Sequence, residues 1–168
     1  MAAASRVSLQ EYLQSDYEPE CELVGGALFP KPMGTLEDMA MERWLVRLLE
    51  RYEQSGLGMV MHELSIRKGD DVRIPDLVFV PSEARFENGI SMDPPLLCVE
   101  ILSPSQRLSA LFAKCETYHA WGVPYCWVID PIGKTAWEYH QGAPMRLLSE
   151  DDSLSAGEIK VGMKEVFP

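Results

Sequence analysis

The chain has no continuous apolar run near the roughly 20 residues that would span a bilayer. Its N-terminus, with one arginine among alanines and serine, lacks the apolar segment of a secretory signal. A cytoplasmic protein is therefore expected. Its four cysteines, Cys21, Cys98, Cys115 and Cys126, include no C-x-x-C pair. The last three fall in apolar strand-like or helical runs and read as reduced structural thiols. His62, His119 and His140 are scattered without zinc-ligand spacing, which argues against a structural zinc site. Neither a P-loop, a G-x-G-x-x-G turn nor a G-x-S-x-G elbow occurs, so nucleotide-binding and serine-hydrolase chemistry have no motif to rest on. Positive charge is scarce as well. The formal net charge is -11, which counts against a general nucleic-acid coat held by Lys and Arg contacts to phosphates. It leaves room for a local basic patch beside an acidic metal site.

What is present is a domain-sized chain. It has 168 residues, 46% of them hydrophobic and 24% charged. That size and balance suit one globular domain spanning residues 1–168. Ser8 with Glu11 forms a capping-box pattern, predicting a short helix over 8–15. Cys21–Val24 and Ala27–Phe29 flank Gly25-Gly26, a hairpin signal. Trp44, Leu45, Leu48, Leu49 and Tyr52 repeat at helical spacing behind Thr35, predicting a helix over 35–54. Met59–Lys68 alternates loosely and turns at Gly69–Asp71 into an apolar strand over 73–80. Residues 81–95 read as a surface loop, and 96–103 as a strand. A helix over 105–121 ends at Gly122 and Pro124. Strands over 125–129 and 135–139 follow, with one or two edge strands in 143–168. A helix between two apolar strands is a right-handed crossover pattern. The expected fold is α/β, a central mixed sheet flanked by helices with an N-terminal helix and hairpin.

The strand Arg73-Ile-Pro-Asp-Leu-Val-Phe-Val80 and its successor Leu96-Leu-Cys-Val-Glu-Ile-Leu-Ser103 each carry one carboxylate, Asp76 and Glu100, inside an apolar run. An unpaired buried carboxylate costs several kcal/mol or takes up a proton, so each needs a metal, a cation or hydrogen bonds. Two hard oxygen donors with open water positions suit Mg²⁺ or Mn²⁺; salt bridges at strand ends are the alternative. Lys114 shares a face of the second long helix with Leu111 and Tyr118, where it either snorkels to solvent or aims at the carboxylates. Glu63 could join the same rim. Glu22 and Asp38 are weaker candidates, with surface or capping roles as the alternative. Arg43, Arg47 and Arg51 repeat every four residues along the first long helix, as a solvated face or as a phosphate-facing row. Two acids and a lysine around a divalent ion form a constellation for phosphodiester hydrolysis.

Taken in order, the runs over 21–28, 73–80, 94–105 and 122–131 resemble the Uma2 family, a large bacterial group abundant in cyanobacteria. The resemblance spans roughly residues 8–140. It implies a restriction-endonuclease-like fold of the PD-(D/E)xK type and a Mg²⁺- or Mn²⁺-dependent DNA endonuclease. It implies Asp76 and Glu100 as metal ligands and Lys114 as the catalytic lysine, since Leu102 occupies the motif position two residues after Glu100. Glu63 and the Ile101 main-chain carbonyl would be further oxygen donors. Gly25 stands where the family often has Asp, and Asp38 where it often has His. Those two departures, with the net charge, keep a second expectation open: a nuclease-fold module that binds nucleic acid or protein without cutting. An obligate homodimer built on the N-terminal hairpin is a third.

Overall fold

The computed structural model describes residues 6–168. Helix α1 (Leu9–Leu13) is closed by the reciprocal Ser8–Glu11 box that its spacing predicts. Strands β1 (Cys21–Val24) and β2 (Ala27–Pro30) pair antiparallel across Gly25 and Gly26, both at positive φ. A tight two-residue turn requires that conformation. Helix α2 (Leu36–Glu50) is capped by Thr35 and Asp38 in a second reciprocal box. It stops earlier than expected, in a 3₁₀ turn at Glu53–Ser55 and a left-handed Gly56.

Two long expected strands are each divided. The first is β3 (Gly58–His62) and β4 (Ile66–Lys68); the second is β5 (Asp71–Arg73) and β6 (Leu77–Pro81). Asp76 therefore lies just before β6 rather than within it. Residues 81–95 are not simply loop: β7 (Phe86–Glu87) and β8 (Ile90–Ser91) make a small hairpin around Asn88 and Gly89, both at positive φ. Then come β9 (Leu97–Ile101), α3 (Leu108–Ala120), β10 (Tyr125–Asp130), β11 (Thr135–His140), β12 (Arg146–Leu147), β13 (Ser153–Ala156), β14 (Ile159–Gly162) and α4 (Met163–Val166).

The central sheet runs β12-β11-β10-β9-β6-β3. Its β9–β10 pair is parallel across the α3 crossover and its other pairs are antiparallel, so the sheet is mixed as expected. A second sheet, β2-β1-β5-β4-β8-β7, stands beside it, and β13–β14 forms a separate ribbon. On one face of the central sheet α2 packs Leu45, Leu48 and Leu49 against Leu77, Phe79, Leu97, Val99 and Ile101. On the other, α3 packs Leu111, Cys115 and Tyr118 against Val78, Val80, Cys98, Cys126 and Val128. Each such side chain contributes about 1.5–3 kcal/mol by leaving water. All four cysteines are buried free thiols. Strand alternation places Glu100 on the Cys98 side of β9, under α3.

Candidate active site

The two divided strands are one long hairpin bent at its middle. His62 pairs with Leu77 in the central sheet, and Ile66 pairs with Arg73 in the second sheet. Between these pairs the ladder lapses except for the Glu63 N–H donating to the Asp76 carbonyl at 3.0 Å. Two local features explain the lapse. Pro75 has no N–H to donate. Glu63 adopts a φ of 48°, a left-handed backbone that costs a non-glycine residue about 1 kcal/mol or more. The bend faces a cleft of about 570 Å³ lined by Glu22, Lys31, Asp38, Glu42, Glu63, Asp76, Glu100, Ile101, Ser103 and Lys114 among others. Six carboxylates and two ammonium groups of the described residues line one cavity.

Glu100 is the deepest of them, 1% exposed. Its Oε1 accepts the Tyr118 hydroxyl at 2.5 Å, and the Lys114 Nζ lies 2.9 Å from Oε1 and 3.0 Å from Oε2. Burial pushes its carboxyl up to about 7; Lys114 and Tyr118 oppose the rise, and the Asp76 charge adds to it. Lys114 also reaches the Glu22 Oε1 at 3.1 Å. Glu22 is fixed in turn by the Ile74 N–H at 3.0 Å and the Arg73 guanidinium at 2.7 Å. Burial alone would raise Glu22, but Lys114, the Ile74 amide and Arg73 hold it below the usual carboxylate range.

Asp76 is held from the other side. Its Oδ2 accepts the Ile101 N–H at 2.7 Å, just beyond the end of the β6–β9 register at Leu77 and Val99. Its Oδ1 meets the Lys31 Nζ at 3.2 Å, and the same ammonium lies 3.4 Å from the Glu63 Oε1. Burial would depress Lys31, yet the charges of Asp76, Glu100 and Glu63 together hold it above its ordinary value. Glu42 is raised by burial and then by the charges of Asp76 and Glu63. Asp38 accepts the Thr35 N–H at 2.8 Å and the Ser103 hydroxyl at 2.5 Å through one oxygen, while its Oδ1 is buried without a partner among the described residues.

A model of the Uma2 family, described as "putative restriction endonuclease", matches residues 9–163. The chain belongs to the Uma2 family. A solved structure described as "a putative nuclease belonging to DUF820" from Anabaena variabilis has a TM-score of 0.85 to it, with 24% identity over 96% of this chain and 97% of the other. At that identity the likeness establishes the shared fold. No functionally curated protein matches the chain.

The Uma2 resemblance singles out Asp76, Glu100, Lys114, Glu63 and Ile101, and all five line the cleft. Lys114 points into the acidic group rather than out to solvent. Glu22 is a buried member of that group rather than a surface residue, and Asp38 combines its capping role with a place in the cleft wall. The arginine row is not brought to the site as a unit. Arg51 donates to Glu165 at 2.8 Å and to the Leu48 carbonyl at 2.9 Å, as a paired side chain of a solvated face. Arg43 and Arg47 stay exposed beside Met39 and Glu42, two residues that also line the cleft. Lys31, Arg73, Glu42 and Tyr118 were not among the expected site residues. Burial of Tyr118 on the Lys114 face could have signalled one of them. Lys31, between two prolines after a hairpin, gave no periodic signal.

Among the described residues no three His, Cys, Asp or Glu side chains converge tightly enough to enclose an ion by themselves. The donor set still fits a hard divalent cation. It is all oxygen, and it opens on a cleft whose wall also holds a buried carboxylate oxygen without a partner among the described residues, Asp38 Oδ1. Mg²⁺ keeps several waters and takes one or two carboxylates, rather than a full protein cage.

Proposed function

We propose that this cleft is the active site of a Mg²⁺- or Mn²⁺-dependent DNA endonuclease, with Asp76 and Glu100 as metal ligands and Lys114 as the catalytic lysine. The observation that carries the reading is the convergence of Asp76, Glu100 and Lys114 in one cavity, with Lys114 2.9 Å from Glu100. Glu63 and the Ile101 carbonyl are the further oxygen donors in this reading, and Glu22 and Asp38 support the acidic wall. A bound divalent ion would supply Lewis acidity toward a phosphoryl oxygen and a nucleophilic water at neutral pH.

The rest is work for the chain's own groups. The Ile101 N–H holds Asp76 Oδ2, which leaves Oδ1 directed to the cleft. Tyr118 and Lys114 orient Glu100. The Lys114 ammonium, kept charged by two carboxylates, stabilises negative charge developing on the phosphoryl group. An acidic cavity repels a phosphodiester, so substrate binding depends on the ion and on cations at the rim; exposed Arg43 and Arg47, beside the cleft-lining Met39 and Glu42, are candidates.

The test is nicking of plasmid DNA with Mg²⁺, comparing wild type with Asp76→Asn, Glu100→Gln and Lys114→Met. Loss of cutting in all three supports the assignment. Cutting that survives both carboxylate substitutions removes it. A non-cutting binding module is the second reading, favoured by the fact that Lys31 and Lys114 already compensate the carboxylates without an ion. Absence of Mg²⁺ or Mn²⁺ binding at millimolar concentration in calorimetry would select it. A cytoplasmic homodimer joined through the N-terminal hairpin, where Phe29 is half exposed, belongs to the same proposal, and sedimentation decides it.

A further inference from the structure

The two ammonium groups of the cleft are held differently. Lys114 sits between Glu100 and Glu22, and Glu22 is locked by Arg73 and the Ile74 amide, so the partners of Lys114 have fixed positions. Lys31 sits between Asp76 and Glu63, two groups that the proposed function counts among the ion's oxygen donors. Asp76 has one oxygen committed to the Ile101 amide. The oxygen that remains for an ion, Oδ1, is the one Lys31 contacts at 3.2 Å. Glu63 is half exposed and free to reorient, whereas the Lys31 side chain is 11% exposed. The Lys31 backbone is tied down. Pro30 and Pro32 flank it with fixed φ, and its N–H donates to the Glu20 carbonyl at 2.8 Å. Its long side chain is the part that can move.

We propose that the Lys31 ammonium is a built-in stand-in for the divalent cation between Asp76 and Glu63, and that an incoming Mg²⁺ or Mn²⁺ displaces it. This deepens the nuclease reading and rests on its assignment of Asp76 as a metal ligand. The physical reason is competition. A carboxylate pair cannot be left uncompensated in a partly buried cleft, so the chain keeps its own cation there. A divalent ion entering at Asp76 Oδ1 meets a like charge within a few ångströms and must expel it. Lys31 therefore weakens ion affinity while supporting the ion-free fold. Once expelled it remains tethered at the cleft mouth, beside whatever anion the ion holds.

The test reads ion binding without nucleic acid. Mn²⁺ affinity of full-length wild type, Lys31→Met, Lys31→Gln and Asp76→Asn is measured by calorimetry, with thermal melts in EDTA and in Mn²⁺. Both Lys31 variants are expected to bind Mn²⁺ at least about tenfold more tightly than wild type, to melt lower in EDTA, and to gain more from Mn²⁺. Asp76→Asn is expected to lose binding. In wild type, lysine-directed acylation followed by mass spectrometry should modify Lys31 faster when Mg²⁺ is saturating. Equal or weaker affinity in the Lys31 variants, or unchanged Lys31 labelling at saturating Mg²⁺, overturns the displacement while leaving Asp76 as ligand. Failure of every form to bind Mn²⁺ overturns the displacement and the metal assignment together. Absence of DNA cutting with ion binding intact leaves the displacement standing and removes only the nuclease activity.

Discussion

Replacing Lys114 by Met tests the electrostatics of the cleft directly. Met keeps most of the lysine stem between Leu111 and Tyr118 and deletes only the ammonium. In wild type that ammonium faces two buried carboxylates, Glu100 at 2.9 Å and Glu22 at 3.1 Å. Removing one partner of a buried ion pair costs about 3–5 kcal/mol, because the remaining charge is left uncompensated. At pH 8 in EDTA the expected loss in urea unfolding is therefore about 4 kcal/mol. The pH dependence has a definite sign. With its carboxyl raised to about 7 by burial, Glu100 is ionised at pH 8 and holds a proton in the folded protein at pH 5.5. Glu22, held below the usual range, stays ionised at both. At pH 5.5 the ammonium thus faces one charge instead of two, and the loss should fall to about 2 kcal/mol. Adding Glu100→Gln to Lys114→Met removes the orphaned charge and leaves Tyr118 an acceptor, so about half of the pH 8 loss should return. A loss under about 1 kcal/mol at pH 8, or one that grows toward low pH, would refute this account.

Three further expectations concern the frame around the site. A Cβ on Gly58 would lie 2.0 Å from the Val80 carbonyl oxygen. Gly58→Ala should therefore separate β3 from β6 and lower stability by about 3 kcal/mol or more in denaturant melts; a neutral effect would contradict the close approach. Glu63 has a φ of 48°. There Gly should be more stable than Ala by about 1 kcal/mol, since both lose the pair to Lys31 and only Gly is released from the backbone cost; the reverse order in chemical unfolding would exclude strain at the bend. Glu138 accepts from Arg146 at 2.7 Å and from the Ser155 amide at 3.0 Å, and although burial alone would raise it these bonds hold its carboxyl below the usual range. The stability it contributes is present above the ordinary glutamate value of 4.5 and lost as pH falls through the lower folded value. The advantage of wild type over Glu138→Gln in urea should be full at pH 7 and shrink below about 4.5.

The parts of the fold legible in the sequence were those whose signal is local. Reciprocal caps at Ser8 and Thr35, the Gly25-Gly26 turn, and the apolar stripes of α2 and α3 each arise within a few residues. The expected strands 59–68 and 73–80 failed at their middles for a physical reason. Residues on both sides of the bend are strand formers, so alternation alone reads through it. Pro75 inside an apparent central strand was the available warning, because proline cannot donate to a ladder. The buried acids were legible as energetic anomalies, since Asp76 and Glu100 interrupt apolar runs. Their compensation was only half legible. Lys114 lies on a helix whose faces can be counted, whereas Lys31 follows a hairpin and reaches the site only through pairing between β1 and β5. The partner of Arg51, Glu165, lies 114 residues away on α4, beyond the reach of any local pattern.

The bent hairpin also bears on modularity. The second sheet resembles an appendage that could be trimmed or exchanged, yet the two crossings between sheets carry Glu63 and Asp76, β1 carries Glu22, and Lys31 directly follows β2. Part of the cleft wall, Glu63 and Asp76, is also the joint between the sheets. An epitope inserted at the exposed Gly69–Asp70 turn should leave the cleft whole. A single residue added between Glu63 and Ser65 would shift the register on one side of the joint and reposition two acids at once. Grafting this cleft onto another scaffold would therefore require both sheets and the angle between them.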